Sequence, residues 1–285
     1  MFDAKVKSEI LREVVDVVAT LVDEAKVNLG KDGLSVKAVD PAHVAMVDLT
    51  LDRSAFEAYK ADDVELGLDM DKMKEVLKLS RVGEVLAMEH EEDKNRLVVH
   101  VGNITRRMSL VDTAGMSDPK VPNLNLPAKI KVRTEELRQG IRASESVSDH
   151  IALVATPDGF ELVSEGDTDS VNLKLPKDML DELVCKEKVR SLFPLDYFAN
   201  MVKAIGTAPT VTMYMGSDYP VRMEFDIAGG KGQVKYLLAP RIESELHAPE
   251  YTAGPNAFIG PYRRSVQASF RRAPASRRGA SSPTS

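Results

Sequence analysis

The sequence holds one cysteine, Cys185, so an internal disulfide and a cysteine-ligated zinc site are both excluded. No apolar run approaches the roughly 20 residues needed to cross a bilayer, and no signal peptide opens the chain. Met1-Phe2-Asp3 leads straight into an alternating strand pattern. These absences imply a cytoplasmic protein with no membrane partner. The histidines, at 43, 90, 100, 150 and 247, are scattered without metal-ligand spacing, so no metal is expected. Gly229-Gly230-Lys231-Gly232 lacks both the spacing and the following helix of a phosphate-binding loop, and reads as a hairpin turn. Ser144-Glu145-Ser146 lacks a nucleophile-elbow context. No reaction centre emerges, no cofactor is implied, and the chain is not expected to be an enzyme.

An excess of positive charge is also missing. The 285 residues carry a net charge of −6. Residues 246–285 hold Arg263, Arg264, Arg271, Arg272, Arg277 and Arg278 against Glu250, so residues 1–245 are more acidic than the whole. An acidic body argues against nucleic-acid binding by bulk positive charge, and leaves local basic surfaces open. Beyond Glu245, Pro, Ala, Ser, Gly and Arg dominate without periodicity, so 246–285 is expected to be a disordered basic tail.

What is present is ample core material, 43 % hydrophobic residues, in a length that fits roughly two domains. Phe2, Ala4 and Val6 alternate with Asp3, Lys5 and Lys7, as in a half-buried strand. Ile10, Leu11, Val14, Val15, Val17, Val18 and Leu21 then recur at helical spacing, which predicts an amphipathic helix from an N-cap at Ser8. A hairpin at Lys31-Asp32-Gly33 and a strand over 44–51 follow, then a short strand over 65–68 and a second helix over 69–80. Strands over 85–89, 96–101 and 104–111 close the unit. The pattern then repeats. Phe2, Ala4 and Val6 correspond to Ala128, Ile130 and Val132, 126 positions on, and Leu11 and Arg12 correspond to Leu137 and Arg138. Lys78 corresponds to Lys203 at an offset of 125. Two copies of one β-rich domain with two helices each are expected, an α+β fold: 1–111, then 128–245.

Between them lies 112–127, DTAGMSDPKVPNLNLP. Prolines 119, 122 and 127 prevent helix or central strand, so this is an interdomain connector. Val121, Leu124 and Leu126 are apolar in an otherwise polar stretch and should touch something.

The opening MFDAKVKSEILREVV, the segment KAVDPAHVAMVDLTL, the helix LGLDMDKMKEVLK, the connector and the closing GQVKYLLAPRIESE resemble the DNA sliding clamp family. The match is to proliferating cell nuclear antigen in its archaeal form, over about 1–245. The resemblance implies a DNA polymerase processivity factor: a homotrimeric ring of six domains around double-stranded DNA, sequence-independent and associated with the nucleoid. It further implies partners (polymerase, clamp loader, nuclease and ligase) that dock short motifs under the connector. On the helices it points to Arg12, Lys78, Arg142 and Lys203 as DNA-facing, with Lys74, Arg81 and Arg138 as further candidates. Glu13 and Ala19 stand where many relatives have lysine. The docking pocket would comprise Val39, His43, Val44, Met46, Leu124, Leu126, Pro127, Pro220, Leu237, Leu238, Ala239 and Pro240. Subunits would meet between a strand at 104–111 and one near 170–175. Arg106 and Arg107 on the first side would form ion pairs with Asp178, Asp181 and Glu182 on the second. Two alternatives stay open: a subunit of a heterotrimeric clamp, and a DNA-processing enzyme on a clamp-like scaffold. The family usually ends near Glu245, so the tail is a departure.

Overall fold

The alternation of Phe2, Ala4 and Val6 with charged residues becomes β1 (Phe2–Lys7), with the apolar set buried and the charged set exposed. The chain is seen in a computed structural model, which describes residues 1–116 and 118–241. The expected tail, 246–285, lies outside the described residues. From β1 the chain continues through α1 (Ser8–Ala19), β2 (Glu24–Gly30), β3 (Gly33–Val39), β4 (Ala45–Asp52), β5 (Ala58–Ala61) and β6 (Val64–Asp69). Then come α2 (Met70–Leu79), β7 (Val85–Glu91), β8 (Arg96–Val101) and β9 (Ile104–Ser109). After the connector the same order returns: β10 (Ala128–Arg133), α3 (Thr134–Ser144), β11 (His150–Thr156), β12 (Gly159–Glu165), β13 (Ser170–Pro176), β14 (Glu182–Val184) and β15 (Val189–Pro194). It closes with α4 (Leu195–Ala204), β16 (Thr210–Met215), β17 (Val221–Ile227) and β18 (Gly232–Leu238).

The repeat extends to the sheets. In the first half, β5-β1-β7-β8-β9 form one sheet and β4-β3-β2-β6 another; the second half has β14-β10-β16-β17-β18 and β13-β12-β11-β15. Ladder for ladder, these orders are equivalent. The two halves join where β18 pairs antiparallel with β4, from Gly232 opposite Leu51 to Leu238 opposite Ala45, which makes one nine-stranded sheet. The helices bury their apolar faces on the sheets: Leu11, Val14, Val15, Val17 and Val18 on α1, and Phe198, Met201 and Val202 on α4.

Smaller features also repeat. Arg12 donates to the Leu77 carbonyl at the end of α2, and Arg138 to the Gly206 carbonyl beyond α4. Each guanidinium thus adds a donor to a carbonyl at or just past a helix end, and the Leu77 carbonyl also accepts from the Ser80 N–H and hydroxyl. An isolated bridge joins Gly67 to Val111, and another joins Leu192 to Arg241. At the first of these the chain passes so close that a Cβ on Gly67 would lie 2.1 Å from the Val111 carbonyl oxygen. Gly67→Ala is therefore expected to break the Val111-to-Gly67 hydrogen bond that pins the start of the connector. The cost should be about 1–3 kcal/mol, the usual range for overpacking, read by denaturant unfolding.

Two expectations need correction. Ser8 is not the cap of α1: Lys7 precedes the helix without a capping side chain, and the Ser8 hydroxyl donates to the Arg81 carbonyl at 2.8 Å. Asp69 does cap α2, accepting from the Lys72 N–H. Val121 is exposed rather than packed. The short strands β5 and β14 had no counterpart in the sequence reading, because three or four residues are too few to show a period. The Gly229–Gly232 stretch is the β17–β18 hairpin turn, with positive φ at Ala228, Gly229 and Gly230.

Candidate functional site

On the joint between the halves, Met46 of β4 and Leu237 of β18 are direct cross-strand partners. Side chains alternate across a strand, so this pair points away from the main core. Together they form a separate small apolar cluster, against which Val39 of β3 and Leu124 of the connector pack. Over residues 121–127 every second side chain is half-buried: Pro122, Leu124 and Leu126 face down, while Asn123, Asn125 and Pro127 are exposed. The connector's earlier part is held by charge. Asp118 meets Lys26 of β2 at 3.2 Å and accepts from the Asn28 amide at 3.4 Å.

The structure thus brings Val39, Met46, Leu124 and Leu237 together. Val44, Pro220, Ala239 and Pro240 are buried nearby in sequence, with the Ala239 N–H donating to the Val44 carbonyl at 2.8 Å. His43 is exposed at positive φ, on the loop between β3 and β4. Leu126 is half-buried outside the cluster, and Pro127 is exposed. Leu238 does not belong with the pocket: as the neighbour of Leu237 it faces the other way and sits in the main core.

The seven basic candidates divide by what already holds them. Arg12 and Arg138 serve as the helix-end donors described above. Glu135 pairs with Arg142 at 3.0 Å and with Arg138 at 3.7 Å, and Asp71 pairs with Lys74 at 3.3 Å. Lys78 and Lys203 are exposed equivalents on α2 and α4; among the described residues neither forms an ion pair within 4.0 Å, nor does the exposed Arg81. Glu13 is not simply a lost lysine. Its carboxylate accepts from the Ala228 N–H at 2.7 Å and from the Thr207 hydroxyl at 3.2 Å, both on the far side of the joint. It thereby holds Ala228, which has φ 53. Glu13→Lys is expected to strand the Ala228 N–H and cost about 1–2 kcal/mol in urea unfolding, while steepening the salt dependence of DNA binding.

Among the described residues β9 pairs in its ladder only with β8, and β13 only with β12, so both are sheet edges. Arg106 is engaged with Glu75 of α2 at 3.1 Å, and Glu182 with Lys129 of β10 at 2.7 Å. Glu182 lies on β14, in a different sheet from β13, so it is not beside the edge strand as expected. The sequence reading missed the apolar residues exposed around the first edge: Ile104, Val82, Val85 and Leu79. Their only signal was hydrophobicity at loop and strand ends. Among the described residues no helix is long and apolar enough to cross a membrane, and no group of three His, Cys, Asp or Glu could hold a metal.

A pseudo-repeat of two such units, joined through β18 and β4 with an apolar cluster under the connector, is the clamp architecture. Residues 1–114 match the proliferating cell nuclear antigen N-terminal domain and residues 120–241 its C-terminal domain. The chain is 42% identical over 246 residues to the DNA polymerase sliding clamp of Methanocella arvoryzae, covering 86% of this chain and 100% of that protein. It is 40% identical over 248 residues to that of Natronomonas pharaonis, with the same coverage. Among solved structures it superposes with TM-score 0.80, at 34% identity, on a structure of the C-terminal region of FEN-1 bound to A. fulgidus PCNA, covering 86% of this chain and 100% of that one. PCNA from Thermococcus kodakaraensis superposes with TM-score 0.78 at 25% identity, covering 85% of this chain and 100% of that one. The chain belongs to the proliferating cell nuclear antigen family of DNA polymerase sliding clamps, processivity factors of DNA replication that catalyse no reaction.

Proposed function

We propose that three copies of the chain close into a ring around double-stranded DNA, and that partner enzymes dock in the cluster under the connector. One observation carries the ring: the joint inside the chain has an unused equivalent outside it. β18 is the counterpart of β9, and β4 the counterpart of β13. β18 and β4 are paired with each other, while β9 and β13 are free edges among the described residues. Repeating the internal joint between chains satisfies both edges through a head-to-tail contact, the kind that forms a ring when its rotation closes. The subunit number, three, rests on the family.

The repeat also supplies the register. The two isolated bridges make Val111 and Arg241 equivalent, 130 positions apart, while the β3–β4 and β12–β13 ladders make Leu51 and Leu175 equivalent, so β4 and β13 correspond 124 positions apart. The Leu237–Met46 pair then maps onto Arg107 opposite Ser170 of the neighbour, and Val234–Leu49 onto Ile104 opposite Leu173. This gives Ile104, 48% exposed in the single chain, an apolar partner. Val82, 92% exposed, takes the place of Thr207 and would meet α3 of the neighbour as Thr207 meets α1. The original ion-pair expectation is replaced: Arg107 faces Ser170, and Asp178 and Asp181 lie beyond the paired stretch.

The same mapping explains one docking site per subunit. At the inner joint the outward pair is Met46 and Leu237, an apolar floor; at the outer joint it is Ser170 and Arg107. The partners we propose are polymerase, clamp loader, ligase and nuclease, the last by analogy with the FEN-1 segment bound to A. fulgidus PCNA. Each would place apolar and aromatic anchors on that floor. Lys78 and Lys203 are the basic side chains freest to meet phosphate, and loose, sequence-blind contacts suit a ring that slides. Such a protein would act in the cytoplasm at the nucleoid.

The test is to image the purified chain and sediment it. A ring of three with a duplex-wide hole is expected. A monomer that forms rings only with related chains would replace the homotrimer by a mixed ring.

A further inference from the structure

Asp40 is the one charged residue buried among the described residues, at 2% exposure. A buried carboxylate is costly unless hydrogen bonds replace its water. Asp40 has four donors and, among the described residues, no cation within 4.0 Å. Oδ1 accepts from the N–H groups of Val44 at 2.7 Å and Ala45 at 2.6 Å. Oδ2 accepts from the Ala42 N–H at 3.0 Å and from the Tyr197 hydroxyl at 2.8 Å. Three of these donors are the backbone of the loop that presents His43 and Val44 beside the Met46–Leu237 floor. The fourth comes from α4, on the other half of the chain. Burial, then the Asp40 carboxylate, pushes the Tyr197 hydroxyl well above the usual phenol range, so it remains a donor. Beside this bond runs a cleft of about 360 Å³, lined by Thr20, Leu21, Pro41, Ala42 and Asn200, so the contact is bordered by open space on one side.

The repeat shows that this contact is not a general feature of clamp joints. Asp40 corresponds to Gly166, 126 positions on, and Tyr197 to Lys72, 125 positions back. Neither can reproduce a carboxylate–phenol bond. The device exists at the inner joint, where the apolar floor is, and is absent from the outer joint, where Arg107 and Ser170 replace that floor.

We infer that Tyr197 is a positioning residue for partner docking: through Asp40 it sets the shape of the 41–44 loop, so the packing of one half on the other determines how the pocket rim is presented. This rests on the docking reading above. Without the hydroxyl, the Asp40 carboxylate keeps its three backbone donors but loses its fixed point on α4, and the rim becomes free to shift.

The test uses the full chain and a fluorescein-labelled synthetic peptide bearing a hydrophobic plug followed by two aromatic residues. Tyr197→Phe removes only the hydroxyl. It is expected to weaken peptide binding about five- to tenfold, somewhat less than the full worth of one charge-assisted hydrogen bond, because the hydroxyl acts on the peptide only through the loop. Amide exchange should quicken at 42–45 and stay unchanged along β4 and β18, with the ring intact. Asp40→Asn, which loses an acceptor within the same group of bonds, should weaken binding similarly. Unchanged affinity and unchanged exchange at 42–45 in Tyr197→Phe overturn the inference. So does weakened binding accompanied by faster exchange throughout α4 and the β18–β4 ladder, which would make the bond a general stabiliser. If the wild-type chain itself fails to bind the peptide, the docking reading falls first and this inference with it.

Discussion

Arg107→Pro is expected to leave a folded chain that no longer assembles and sediments as a monomer. The reason lies in which way each N–H of β9 points. The Leu110 N–H donates to the Asn95 carbonyl, and the β8–β9 register continues from that pair through Leu97–Met108 and Val99–Arg106. Even-numbered residues of β9 therefore spend their N–H groups on β8, and Thr105, Arg107 and Ser109 point theirs away. Proline at 107 removes a donor that the single chain does not use, and edge strands tolerate proline with that side outward. A neighbour's β13 would lose the donor and meet the pyrrolidine ring. Arg106→Pro is the contrasting change: it removes a ladder bond to β8 and should destabilise the domain itself. Sedimentation and denaturant unfolding separate the two. A stable three-subunit species formed by Arg107→Pro would sink the strand-addition account of the ring.

Much of this fold was visible in the sequence because its signals are periodic. The apolar positions of α1, the alternation in β1 and β10, and the fixed offset between the copies all follow from burial on one face, repeated twice. The connector was equally legible, since three prolines in nine residues suit neither helix nor central strand. The misses have a common cause. Ser8 looked like a cap because it stands before an apolar run, yet its hydroxyl found the Arg81 carbonyl, 73 positions away. Leu238 was grouped with Leu237, although a strand sends adjacent side chains to opposite faces. Glu13 was read by its charge, while its work is to hold Ala228, 215 positions away. The Asp40–Tyr197 bond spans 157 positions. Contacts of this kind leave no period and no local composition behind. They become visible only once the two halves are placed on each other.

The comparison of the two joints also decides what the connector is for. Leu124→Ala with Leu126→Ala is expected to weaken binding of the plug-and-aromatic peptide at least about thirtyfold, while the ring stays assembled. Leu124 rests on Met46, Leu237 and Val39, so its outer surface extends the only apolar floor that either joint offers. Leu126 lies on the same side of the extended connector and is half-buried. Truncating central apolar anchors in a desolvated pocket costs about 2 kcal/mol or more, which sets the thirtyfold expectation. Assembly should survive because β9 and β13 are untouched and neither leucine lies in the main core. The charged anchor of Asp118 on Lys26 also remains, so the connector still crosses the same face. Peptide titration and sedimentation of the same preparation read the two effects separately. If the variant loses the ring together with peptide binding, the leucines hold the two halves in place, and the cluster beneath them is packing rather than a docking floor.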